Sequence, residues 1–193
     1  MCYEYYVDYI IPVIGLIVAI ITCIFTCLTY KNSRDILEIV DKERKYRWNR
    51  KELEKLFSTI PIESIESFFS TPDIIRNELW EGLRAVDLKT FQYSGKERNQ
   101  IVKFIEGLDG FCSMSYEQVP SGHWKFQPLS EKEPFDAEKE QRRIYELYEK
   151  VKTLSPLFKN VKNILMKYHV NIRDINEKAY DFYFKKQEED LHQ

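Results

Sequence analysis

The sequence predicts an all-α protein: one N-terminal transmembrane helix followed by a cytoplasmic helical bundle. Three observations lead there. Residues 9–30, YIIPVIGLIVAIITCIFTCLTY, carry no charge. Beyond them, apolar residues recur at the three- and four-residue spacing of helix faces, and no segment alternates as a strand would. Gly and Pro are sparse, at 6 and 7 of 193 residues, and aromatics reach 15%. That composition belongs to a packed domain, not to a disordered tail.

The apolar run comes first. At about 1.5 Å per residue it makes a helix of roughly 30 Å, the thickness of a bilayer's hydrocarbon core. A cleaved signal peptide fits poorly, because residues 1–8 hold no Lys or Arg and carry Glu4 and Asp8. Lys31, Arg34, Lys42, Arg44, Lys45, Arg47, Arg50 and Lys51 follow the run. The positive-inside rule therefore places residues 1–8 outside and the rest of the chain in the cytoplasm. Tyr3, Tyr5, Tyr6, Tyr9 and Tyr30 stand where aromatic anchors sit at the two interfaces.

One face of this helix is small and weakly polar. Pro12, Gly15, Ala19, Thr22, Thr26 and Thr29 step by three and four, a heptad seam. Small residues let helices approach closely in lipid, and hydroxyls can bond across the contact. The plain alternative is that each threonine bonds its own backbone. Around an axis, several copies would line a narrow path with these residues.

Residues 31–58 read as a juxtamembrane helix, since no Gly or Pro occurs between Gly15 and Pro61. Ile36, Leu37, Ile39 and Val40 give it an apolar stripe. Its basic residues with Tyr46 and Trp48 suit either anionic headgroups or RNA, the headgroups requiring only proximity to the membrane.

Residues 59–184 then read as a helical domain. A short helix follows Pro61. Thr71-Pro72 predicts an N-cap and first-turn proline for a helix to about Tyr93, with Gly82 inside it at a close approach. Ser94 with Glu97 predicts a capping box for a helix that Gly107 and Gly110 weaken. Residues 119–135 read as one long irregular stretch carrying His123, Trp124 and Phe126. Asp136 caps the next helix, Ser155-Pro156 starts another that ends near His169, and Asn171 with Asp174 opens the last. Residues 185–193 read as a charged, frayed tail.

The chemistry-bearing motifs are few. The four cysteines, Cys2, Cys23, Cys27 and Cys112, show no CxxC and no Cys/His ligand spacing, so neither disulfides nor structural zinc is expected. Cys23 and Cys27 read as buried small hydrophobes. No phosphate-binding glycine loop, nucleophile elbow or HExxH occurs, and no cofactor is expected. One candidate remains, the stretch from Lys162 to His169.

That stretch resembles the site of the HEPN superfamily, helical bundles whose RNases carry an Arg, often followed by a polar residue, a few positions before a His. Lys162 stands in the place of the Arg, Asn163 in that of the polar residue, and His169 in that of the His. Lys lacks the two-pronged phosphate geometry of Arg, so the resemblance leans away from an enzyme. One membrane helix, a helical domain of this size and a degenerate HEPN-like motif together resemble the single-span accessory proteins of type VI-B CRISPR systems. That resemblance implies antiviral defence beside an RNA-guided RNA nuclease, through an oligomeric pore that depolarises the bacterial inner membrane. The implied partners are the lipid bilayer, further copies of the chain and that nuclease, with RNA weakly supported. The alternatives are a membrane-tethered HEPN-type RNase using His169 and Lys162, and a non-catalytic anchor or adaptor.

Overall fold

A computed structural model describes residues 11–112, 116–118, 123–126 and 137–191. Among the described residues the fold is 80% helical, with six helices. They are α1 (Ile11–Phe57), α2 (Ile62–Ser70), α3 (Asn77–Ala85), α4 (Arg98–Cys112), α5 (Ala137–Lys167) and α6 (Ile172–Leu191). Three short strands complete it: β1 (Ile74–Arg76), β2 (Tyr116–Gln118) and β3 (His123–Phe126). The chain divides into two compact units, residues 1–45 and 46–193, and α1 contributes to both.

In the first unit every described side chain from Pro12 to Lys45 is exposed. An 18-residue window of α1 has a mean hydropathy of 2.5, and none of it is buried. This is one helix long and apolar enough to span a membrane. Residues 1–10, including the four interfacial tyrosines before Ile10, lie outside the described residues.

The second unit is built on a continuous apolar core. Leu53 and Phe57 of α1, Ile65 and Phe68 of α2, Leu79 of α3, and Ile101, Phe104 and Leu108 of α4 are all at most 2% exposed. Helix α5 adds Leu147, Val151, Leu154, Val161 and Leu165, and α6 adds Ile175 and Ala179. Each such side chain is worth roughly 1.5–3 kcal/mol on burial. Helix ends are tied across long sequence distances. The Ile62 amide, an orphan donor at the start of α2, donates to Asn176 Oδ1 of α6 at 2.8 Å. Gly82 of α3 lies against the turn after α1, where a Cβ would fall 2.0 Å from the Thr59 carbonyl oxygen. Only hydrogen fits there, as the close approach expected of Gly82 requires.

Several local expectations are overridden. Pro72 starts no helix. Thr71 instead ends α2, its amide and hydroxyl both donating to the Ser67 carbonyl, and β1 follows. The strands form an antiparallel sheet in the order β1-β3-β2, with Ile75 opposite Trp124 and Glu117 opposite Lys125. The Phe126 amide donates to the Asp73 carbonyl at 2.8 Å, and the Tyr116 hydroxyl to the Pro72 carbonyl at 2.7 Å. These bonds pull residues 72–76 out of a helix. Trp124 stacks on Trp80 at 4.1 Å between centroids and donates its indole N–H to Asn77 Oδ1. The stretch expected to be wholly irregular thus contains a strand at His123–Phe126. Its remaining residues, and the cap at Asp136, lie outside the described residues.

Pro156 likewise fails to divide α5, which runs 31 residues through it. An interior proline costs about 3 kcal/mol, but Val151, Leu154, Phe158 and Val161 bury on both sides of it in one helical phase. Ser94 does not cap α4. Asn49 takes both of its backbone groups, and Glu97 supplies the carbonyl that accepts from Ile101 N at 3.2 Å. Gly107 lies inside α4, which ends at Cys112, two residues past Gly110. A Cβ on Gly107 would meet Leu154 Cδ2 at 2.5 Å, so this glycine lets α5 approach. The charged tail continues α6 to Leu191 and is fastened by an ion pair between Lys186 and Glu81 of α3.

Candidate functional site

Two sets of residues carry the functional expectations: the seam in the first unit and the motif near the end of α5 in the second.

The seam residues Pro12, Gly15, Ala19, Thr22, Thr26 and Thr29 all lie in α1 and are exposed. Nothing approaches within 4 Å of a Cβ placed on Gly15. Each threonine hydroxyl donates to the carbonyl four residues back: Thr22 to Val18 at 2.8 Å, Thr26 to Thr22 at 2.8 Å and Thr29 to Phe25 at 2.9 Å. Their protons are spent within the helix, while the oxygens keep acceptor capacity. The seam therefore offers a low profile and acceptor oxygens. Cys23 and Cys27, read from sequence as buried, are free and exposed on the same helix.

The second set does not gather into one site. The Lys162 ammonium bonds Glu66 Oε1 of α2 at 2.6 Å and lies over the Phe158 ring at 5.5 Å. Asn163 is exposed and lines an open groove of about 270 Å³ with Glu97, Gln100, Asn160, Ile164 and Lys167. His169 is exposed beyond the end of α5, its ring 6.5 Å from that of Tyr46. The contacts of Lys162 and His169 thus go to different elements.

His169 has a φ of 49°, alone among non-glycine described residues in being positive. Its amide donates to Met166 O at 3.0 Å, and the Val170 amide donates to Leu165 O at 3.0 Å. This is the paired bonding of a Schellman motif, with His169 in the left-handed position normally held by Gly. Val170 and Leu165 are both buried, as the motif's apolar contact requires.

Beneath this helix end lies a network with no sequence signal. Asn49, fully buried, donates to Ser94 O at 2.9 Å and to the Tyr168 hydroxyl at 3.1 Å, and accepts from Ser94 N at 2.8 Å. The Tyr93 and Tyr168 rings meet edge to face at 5.8 Å, and Tyr93 donates to Glu97 Oε2 at 3.3 Å. Lys167 bonds Glu97 Oε1 at 2.7 Å. That bond holds the Glu97 carboxyl below its ordinary range and raises the Lys167 ammonium. Burial, and then the Tyr168 hydroxyl, pushes the Tyr93 phenol up. Its members lie as far as 119 positions apart, so no local spacing reveals them.

The aromatics of the basic run are committed to the same domain. Tyr46 donates to Lys167 O at 3.3 Å, and the Trp48 indole donates to Gln92 O at 3.0 Å. Arg50 pairs with Glu54 at 2.8 Å. Among the described residues no three His, Cys, Asp or Glu side chains gather as a metal-ligand set. No family model, curated protein or solved structure matches this chain.

Proposed function

We propose that this chain is a single-span protein of the bacterial inner membrane that acts by self-assembly, its helical domain on the cytoplasmic side. The observation that carries the reading is the bare apolar length of α1, none of whose spanning window is covered by the rest of the chain. Hydrocarbon is the medium in which such a surface is stable. The small seam supports close packing of copies in that medium, where shape and not the hydrophobic effect drives association. With the resemblance to single-span CRISPR accessory proteins, the reading extends to a pore, or a membrane-perturbing effector, working beside an RNA-guided RNA nuclease in antiviral defence.

A tethered HEPN-type RNase has less support. Lys162 is tied to Glu66, and His169 serves as a helix cap. The seam supplies the test. Gly15→Leu and Ala19→Leu each place a bulky side chain on it without reducing hydropathy. Membrane insertion should be unchanged, and depolarisation of cells expressing the protein with its nuclease partner should be lost. Full depolarisation by both variants would overturn the pore reading and leave the anchor or adaptor.

A further inference from the structure

The seam does not stop at the membrane. Its three- and four-residue steps continue from Thr29 to Ser33, Ile36 and Val40. In heptad letters Ser33 and Val40 take position a and Ile36 takes d, the same phase as the seam. Leu37 and Ile39 then fall at the flanking positions e and g. These four apolar side chains are 51–64% exposed. From Ser33 to Lys42 the charges Arg34, Asp35, Glu38, Asp41 and Lys42 all fall at b, c or f. The apolar register ends there, since Glu43 takes the next d and Arg44 the next e. Glu38 and Lys42, at f and c, pair at 2.7 Å on the outward face. Over residues 33–42 apolar and charged side chains are thus sorted onto different faces of a segment that no other part of its own unit covers.

Lipid is not the cover. With the span ending at Tyr30, Ile36 to Val40 lie roughly 9–15 Å further along the helix, past a headgroup layer of about 5–8 Å. We infer that residues 33–40 form a parallel zipper with further copies of this chain, in register with the seam. Anchoring in one bilayer holds all copies parallel and at one depth, so Ile36 meets Ile36 and Val40 meets Val40. The apolar flanks set the number. In two-stranded coiled coils e and g are usually charged, and Ile at d shifts assemblies toward three or more strands. An apolar face of a, d, e and g is too wide for one partner helix, so more than two copies assemble.

This inference rests on the single-span reading above, and the experiment separates the two. The full chain, with Cys2, Cys23, Cys27 and Cys112 changed to Ser, receives Ile36→Cys, Val40→Cys or Glu38→Cys in turn. Each is oxidised in membranes with copper phenanthroline. Cross-linked pairs should form strongly at positions 36 and 40 and weakly at 38. Equal cross-linking at all three, with a multi-copy mass in detergent, overturns the zipper and leaves assembly through the membrane standing. A single-chain mass with no cross-linking overturns both. A two-copy mass overturns the assignment of more than two copies. If removing the cysteines prevents insertion, Ile36→Glu with Val40→Glu on the unaltered chain decides the matter. The mass should fall by at least one copy, and an unchanged mass overturns the zipper.

Discussion

Phe25 and Phe57 lie on one unbroken helix, yet Phe25 is 67% exposed and Phe57 is fully buried. The same contrast holds for Leu16 against Leu53, at 63% and 0%. Around Phe57 the chain supplies its own solvent for apolar groups, in the form of the second unit's core. Around Phe25 it supplies none, and the surroundings must. Helix formation alone says nothing about stability in water. One stretch is held by a core of its own chain, and the other is long and apolar enough to cross a membrane.

Four tests would break or sharpen this contrast. The largest effect is expected from Phe57→Ala, which should destabilise the domain by about 3–5 kcal/mol through an unfilled cavity. Phe25→Ala in detergent should leave the domain's unfolding midpoint unchanged. Denaturant unfolding of the two variants measures both. Equal losses would mean that Phe25, like Phe57, is packed into a core of its own chain.

Two glycines give a second, smaller pair of opposite sign. Gly82→Ala drives a methyl into the Thr59 carbonyl and should cost about 3 kcal/mol. Gly110→Ala meets nothing within 4 Å and should stabilise α4 by roughly 0.5–1 kcal/mol. Thermal melts would show one midpoint falling and the other rising.

His169→Gly comes next. A left-handed non-glycine residue carries a cost of about 1–2 kcal/mol, so glycine should raise stability by roughly 1 kcal/mol and leave membrane activity intact. Loss of an RNA-cleaving activity in this variant would restore the catalytic reading of His169. Smallest is the Glu97–Lys167 pair, whose side chains are 30% and 55% exposed. Because Glu97 titrates below its ordinary value of 4.5 when folded, its contribution is present above that value. It is lost as pH falls through the folded one. An exposed pair of this kind is worth roughly 0.5 kcal/mol. Lys167→Met should remove that part of the acid-side slope in stability against pH.

The legible parts of the sequence were those whose cause is local. The charge-free run, the apolar spacing of α1, α2, α4 and α6, and the contact implied by Gly82 all follow from residues within a few turns. The sheet was not legible. Its strands are three or four residues long, too short for alternation to register, and β1 meets β3 some 50 positions away. Pro72 gives a sound local signal for a helix start, and the strand pairing overrides it. At Pro156 the reverse occurs, with core contacts on both sides carrying the helix through its breaker. Asn49 lacks a signal of any kind, because what makes it structural is the distant pair of Ser94 and Tyr168. The HEPN-like spacing of Lys162, Asn163 and His169 was legible as a pattern. Its meaning depended on φ at His169 and on the partner of Lys162, neither of which spacing encodes.

The most direct measurement is the protein mass of the full chain in detergent, by light scattering with the detergent contribution removed. The expected result is one discrete species of more than two copies, which is what an uncovered apolar helix with a continuous seam should form. A single chain per micelle would contradict it, since α1 would then satisfy its entire surface with lipid and no assembly would follow.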